Sequence, residues 1–232
     1  MNAQPAALPS PAIQIAGVID LAEAELLVRL GATHLGFPLQ LTVHAEDLSE
    51  AAAGEIIRQL PETCPGVLIT YLEQAETILA FCRYLGARHV QLHGNLAPAE
   101  ARRLRALDPG LFIIKSLVVR NGNMSDLEGL VRTLEPMVDA FITDTFDPRT
   151  GASGATGKTH DWAISSRLVK LSQKPVILAG GLRPDNVYAA IQRVRPAGVD
   201  THTGVEGPNG RKDEHLVRRF VAEARRGFAD LK

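Results

Sequence analysis

The sequence predicts an α/β protein folded as one (β/α)8 (TIM) barrel. Three observations carry this. Short apolar runs alternate with longer amphipathic segments eight times along 232 residues. Most runs are apolar at consecutive positions, as expected of strands covered on both faces in a parallel sheet. Eight units joined by right-handed crossovers close naturally into a barrel, and roughly 250 residues is usual for such a domain. A doubly wound open sheet is the alternative; no Gly-x-Gly-x-x-Gly follows the first run, which argues against it.

The elements follow in order. The predicted strands are Ile13–Ala16, Thr33–Phe37, Gly66–Tyr71, His89–Leu92, Leu111–Val118, Ala140–Thr143, Pro175–Ala179 and Gly198–Thr201. Between them, Leu21–Leu30 carries Leu21, Ala24, Leu27 and Val28 on one helical face. Ser49 caps a helix running to about Leu60, stopped by Pro61. Leu72–Leu85 is apolar at Leu72, Ala75, Ile78, Leu79 and Cys82, and Gly86 ends it. Pro98 opens a helix to Leu107 in its first turn. Ser125–Leu134, Asp161–Leu171, Pro184–Val194 and Lys212–Ala224 complete the set, with Asp161 and Asp185 near helix starts where a carboxylate meets unpaired N–H groups. Residues 1–12, rich in Ala and Pro, read as a disordered tail, and 13–232 as the single barrel domain.

Composition narrows the function. Lys plus Arg number 25 and Asp plus Glu 26, a net charge of −1, which argues against a nucleic-acid partner. No apolar run reaches the roughly 18 residues of a membrane span, and the start lacks the basic and apolar regions of a secretory signal. Cys64 and Cys82 are too few for a disulfide framework, so a reducing cytoplasm is expected and both thiols read as inert.

In such a barrel chemistry gathers at the C-terminal ends of the strands. Gly17 follows the first strand; Gln40, His44, Glu46 and Asp47 follow the second; Gln91-Leu92-His93-Gly94 ends the fourth. The fifth carries Lys115, the sixth ends in Thr143-Asp144-Thr145, the seventh in Ala179-Gly180-Gly181, and the eighth in Thr201-His202-Thr203-Gly204. Gly180 and Gly181 let backbone N–H groups approach an anion, and Thr203 and Gly204 add a hydroxyl and another amide, so a phosphate site is expected there, against the plainer reading that these glycines only turn the chain. Asp144 is the acid/base candidate: burial at a strand end raises a carboxyl pKa and suits it to donate a proton, unless it merely caps the next turn.

Four histidines, His44, His93, His160 and His202, fall at ends of even-numbered strands and hence on one rim. With Glu46, Asp47 and Asp144 they admit a metal cluster, a catalytic base from His44 or His202, or substrate-binding and structural roles; no metal or organic cofactor is assigned. Trp162 reads as a core anchor, the arginines at 102, 103 and 105 and at 218, 219, 225 and 226 as solvated helix faces, and 147–159 as a lid or a surface loop.

Several motifs together resemble one family. Val90-Gln-Leu-His-Gly94, Gly154–Trp162, Ile177–Val187, Arg195–Glu206 and Gly210-Arg-Lys-Asp213 are similar to segments of phosphoribosylanthranilate isomerase, in its order and at its barrel positions. The likeness is strong from Phe141 onward and loose over the first 60 residues. It implies a cofactor-independent (β/α)8 barrel of tryptophan biosynthesis, which converts a phosphoribosyl-amine to its ketose isomer by an Amadori rearrangement. A strand 6 Asp opens the sugar ring, a strand 1 Cys removes the C2 proton, and amides after strands 7 and 8 hold the phosphate. Carried over by motif, the acid is Asp144, the phosphate contacts are Gly180, Gly181, Thr203 and Gly204, and Asp200 matches the family's strand 8 Asp; His93 lies in the Gln-Leu-His-Gly motif.

The sequence departs from the family at two places. The Lys-x-Cys-Gly opening is here Gln14-Ile15-Ala16-Gly17, and Ala16 accepts no proton. The loop ending in Ser-Pro-Arg-Tyr is here Pro38–Asp47, without an Arg. Losing a general base removes about 10²- to 10⁴-fold in rate. Hence the expected function is the isomerisation of a phosphorylated sugar substrate by a monomer or homodimer, with Asp144 and a histidine, His44 or His202, as catalytic groups, and His93, Lys115 and Asp200 among the binding groups. One rival is a diverged isomerase, epimerase or lyase on another phosphorylated sugar. The other is a non-catalytic binding barrel, against which the presence of both Asp144 and Lys115 argues.

Overall fold

A computed structural model describes residues 11–41, 46–120, 122–145 and 159–231. Eight parallel strands close in sequential order: β1 (Ala12–Ala16), β2 (His34–Pro38), β3 (Gly66–Thr70), β4 (His89–Leu92), β5 (Phe112–Val119), β6 (Ala140–Thr145), β7 (Val176–Leu178) and β8 (Gly198–Thr201). Each is followed by a helix: α1 (Leu21–Leu30), α2 (Glu50–Ile57), α3 (Ala75–Leu85), α4 (Pro98–Leu107), α5 (Met124–Leu134), α6 (Trp162–Leu171), α7 (Val187–Val194) and α8 (Glu214–Ala229). A 3-10 turn, Thr203–Val205, intervenes before α8. The predicted (β/α)8 barrel is the observed fold.

The strand period of two divides the core into two layers. Outward side chains such as Ile13, Leu35, Leu68, Ile113, Phe141 and Val199 meet the helices. Inward ones, among them Ala16, Val67, Ile69, Phe112, Ile114, Ile142 and Ile177, fill the barrel. This double burial is why the strands read as continuous apolar runs.

Helix ends follow local chemistry. Asp20, Ser49, Asp161 and Asp213 cap α1, α2, α6 and α8 through their side chains. Gly31 and Gly86 end α1 and α3 in the left-handed region. Several boundaries differ from expectation, among them those of three helices. α3 begins at Ala75, three residues late, and α7 begins at Val187, because Asn186, not Asp185, stands at its cap. α8 runs on to Ala229, its amphipathic face continuing through Ala224, Gly227 and Phe228. Ala12, assigned to the tail, is the first residue of β1; residues 1–10 lie outside the described residues.

One side-chain reading also needs correction. Arg105 is not a solvated residue: it donates to Asp139 Oδ2 (2.5 Å) and to the carbonyls of Met137, Pro109 and Leu111. Arg225 and Arg226 lie on an exposed helix face as expected, Arg225 donating to the Gly31 carbonyl and Arg226 lying over the Tyr188 ring. Trp162 packs against the core as expected, its indole N–H buried without a partner. Cys64 and Cys82 are buried free thiols whose pKa burial pushes up to about 12, so they stay protonated. No helix among the described residues is long and apolar enough to cross a membrane.

Candidate active site

The C-terminal rim gathers most of the expected residues. On β6, Ala140 and Ile142 belong to the inward layer, so alternation aims Asp144 into the barrel mouth. Asp144 is 8% exposed, and its Oδ1 accepts from the Thr145 amide at 2.7 Å. Burial, against that stabilising hydrogen bond and with help from the nearby Asp200 charge, raises its pKa to about 7. A carboxyl that still holds its proton near neutrality is equipped to act as a general acid.

His93 stands beside it. Its Nδ1 lies 3.7 Å from Asp144 Oδ2 and 3.1 Å from Ser116 Oγ, and its ring rests on Tyr71 with centroids 4.8 Å apart. Below runs a polar chain that sequence reading missed. Gln14 donates to Gln91 Oε1 at 3.1 Å, and Gln91 donates to Ser116 Oγ at 3.3 Å. Gln14 also stands beside Asp200, its register partner across the β1–β8 seam, and favours its charged form. Burial raises Asp200 to about 7 despite Gln14 and the Lys212 charge, and its Oδ1 is buried without a partner. The missed signal was parity: Gln14, Gln91 and Ser116 occupy inward positions in otherwise apolar strands.

The two glycine loops meet on the same rim, next to β6. Gly180 and Gly181 have φ of +98° and +62°, a region L side chains rarely adopt. A Cβ on Gly180 would also overlap Thr145 Oγ1. A Cβ on Gly204 would overlap the Leu182 carbonyl, which accepts from Thr201 Oγ at 2.8 Å. The glycines therefore let the β7 and β8 loops touch, so that Gly180, Gly181, Thr203 and Gly204 and their amides lie on neighbouring loops of one rim. Among the described residues those amides donate to no protein acceptor.

His202 is the rim's surprise in position. The register pairs Gln14 with Asp200 and Ile15 with Thr201, so one step further His202 stands beside Ala16. Its Nε2 lies 3.4 Å from Glu206 Oε1 and 3.9 Å from Asp47 Oδ2. Its ring lies flush on Gly17, where any Cβ would overlap Nε2.

Other expected residues fall elsewhere. Lys115 shares the outward parity of Ile113 and Leu117, and its ammonium donates to the carbonyls of Leu92, Gly94 and Ser116 at 2.9–3.1 Å. A cation so enclosed ties the turn after β4 and does not reach the mouth; that corrects its assignment as a binding group. His160 is held between Thr145 Oγ1 and Ser165 Oγ, and burial lowers its pKa to about 4. His44 and all but Thr159 of the expected lid, 147–159, lie outside the described residues. Among the described residues no three His, Cys, Asp or Glu side chains are grouped to hold a metal ion.

A closed parallel barrel with a near-neutral carboxyl and two glycine loops on one rim defines a (β/α)8 barrel whose polar groups gather at the C-terminal ends of its strands. Comparison narrows the class. The family model described as N-(5'-phosphoribosyl)anthranilate isomerase matches residues 13–223. N-(5'-phosphoribosyl)anthranilate isomerase 2 of Methanosarcina mazei is 36% identical over 224 residues, covering 95% of this chain and 96% of that protein. The isomerase of Desulforudis audaxviator is 38% identical over 213 residues, 92% and 97% of the two chains. Among solved structures, the isomerase of Thermotoga maritima superposes with a TM-score of 0.78 at 29% identity, covering 92% of this chain and 98% of that one. An isomerase in complex with reduced 1-(o-carboxyphenylamino)-1-deoxyribulose 5-phosphate superposes with a TM-score of 0.75 at 27% identity and the same coverage. The chain belongs to the phosphoribosylanthranilate isomerase family.

Proposed function

We propose that this protein isomerises N-(5'-phosphoribosyl)anthranilate to 1-(o-carboxyphenylamino)-1-deoxyribulose 5-phosphate, the aldose–ketose step its family performs in tryptophan biosynthesis. The observation that carries the reading is Asp144: an inward carboxyl at the mouth, raised to about 7, on the strand next to the first of the two glycine loops. Asp144 gives its proton to the furanose ring oxygen. The C1–O bond breaks as the anilino nitrogen's electron pair forms a C1=N bond. Loss of the C2 proton then yields an enolamine, and ketonisation completes the isomerisation. The amides of Gly180, Gly181, Thr203 and Gly204 hold the phosphate, while His93 and Asp200 meet the sugar.

One observation favours a second reading. Ala16 occupies the family's base position, and the loop after β2 has no Arg, so a diverged isomerase, epimerase or lyase acting on another phosphorylated sugar would use the same phosphate loops. A direct assay separates the two. The wild-type protein is expected to consume freshly generated phosphoribosylanthranilate, followed by loss of its fluorescence. Asp144→Asn is expected to lose at least about 10²-fold in kcat. A folded wild-type protein inert on this substrate, yet binding other sugar phosphates, would favour the second reading.

A further inference from the structure

We propose that the His202 imidazole is the general base of this enzyme, moved one strand sideways from the position where Ala16 leaves the first strand without one. The inference rests on the isomerase reading above and supplies the group that reading lacks.

Position comes first. β1 and β8 are hydrogen-bonded neighbours, and their register sets residue 202 laterally beside residue 16. Ala16 is an inward residue of the barrel, so a side chain beside it faces the same mouth as Asp144. The ring reaches back across the seam because Gly17 has no side chain: Nε2 occupies the space a Cβ there would need. Gly17, at φ +78°, thus holds the backbone turn and leaves the seat for the imidazole.

Charge comes second. Two carboxylates flank Nε2, Glu206 from the segment after β8 and Asp47 from the segment before α2. A proton taken up by this imidazole would sit beside both carboxylates. Glu206 is itself held in place: Lys212, whose side chain is fully buried, donates to the same Oε1 at 2.7 Å. The Lys212 amide is fixed in turn by Glu23 Oε1 at 2.8 Å. His202 is partly exposed, at 20% of its side chain, so a ligand in the mouth has access to it.

The step balances. After Asp144 has opened the ring, the substrate is a protonated C1=N imine. The imidazole takes the C2 proton; the C2–H pair becomes the C1=C2 bond, and the C1=N π pair returns to nitrogen. Imidazolium and neutral enolamine result, with the cation facing Glu206 and Asp47. Two groups thus divide the chemistry across the mouth, an acid on β6 and a base after β8.

The test uses His202→Asn, which keeps a polar side chain of similar reach but takes up no proton, and the reduced product analogue as probe of a folded, ligand-competent site. The expected result is a kcat on phosphoribosylanthranilate about 10²- to 10⁴-fold lower, with analogue affinity within threefold of wild type. Adding Ala16→Cys to His202→Asn is expected to recover at least tenfold of the lost kcat, because a thiolate then stands one strand away from the missing imidazole. An active wild type whose His202→Asn variant keeps its kcat within threefold overturns the assignment, as does a loss of kcat matched by a loss of analogue affinity. A wild type without turnover removes the isomerase reading itself, and the base assignment with it.

Discussion

Single residues carry the chemistry, and Asp144 shows what that costs. Its folded pKa, about 7, stands above the ordinary 3.8. Between those values the folded state holds a proton that the unfolded state has lost, so stability falls as pH rises from about 4 to 7. Asp144→Asn removes the penalty. It is expected to be more stable than wild type at pH 8 by on the order of 2 kcal/mol, with the advantage gone near pH 4, measured by chemical denaturation at both values. An equal difference at both pH values would show that Asp144 is not held protonated by burial. Asp144 was legible in the sequence because a polar residue closed an apolar strand. Lys115 was misread for the same reason: its strand was recognised, but which face each residue took was not, and parity sends it outward to three carbonyls.

At the scale of elements, the site depends on how the last unit is tied to the first. Glu23, in the first turn of α1, is 3% exposed and accepts from the Ile19 and Lys212 amides. Arg211 pairs with Asp20, and Lys212 reaches Glu206. These contacts join the β1–α1 loop to the segment before α8 and so fix the seam that carries Gly17 and His202. Glu23→Ala leaves two buried amides without an acceptor and is expected to destabilise by about 2–4 kcal/mol, read as a lower denaturation midpoint. A change below about 0.5 kcal/mol, the scale of ordinary surface substitutions, would mean the seam holds without it. Strand and helix order was legible because each strand is largely apolar and several helices announce their caps. The seam was not: Asp20 and Arg211 are 191 positions apart, and no local pattern signals a contact at that distance.

For the molecule as a whole, the barrel is polar at both ends and apolar between. His34 and His89 point inward near the N-terminal end, rings 5.8 Å apart and edge to face, with His34 Nε2 and His89 Nδ1 buried and unpartnered. Burial lowers their pKa values to about 3 and about 4. Histidines kept neutral in the fold take protons first in the unfolded chain, so stability is lost as pH falls below about 6.5. Asp144 and Asp200 oppose this slope over the same range. Asp144→Asn therefore unmasks it: its unfolding free energy is expected to drop by about 2 kcal/mol or more between pH 6.5 and 5. A flat profile would mean the two rings are charged or solvated in the folded protein. Eight apolar runs announced the barrel, but the same averaging hid the inward polar residues that line it.

The most direct test of the account follows phosphoribosylanthranilate fluorescence with wild-type protein and Asp144→Asn across pH 6–9. Wild-type turnover is expected, declining as pH rises through about 7 while Asp144 loses its proton, with a loss of about 10²-fold or more in Asp144→Asn at every pH. Wild-type protein that is folded but silent, or an Asp144→Asn variant as fast as wild type, would contradict it.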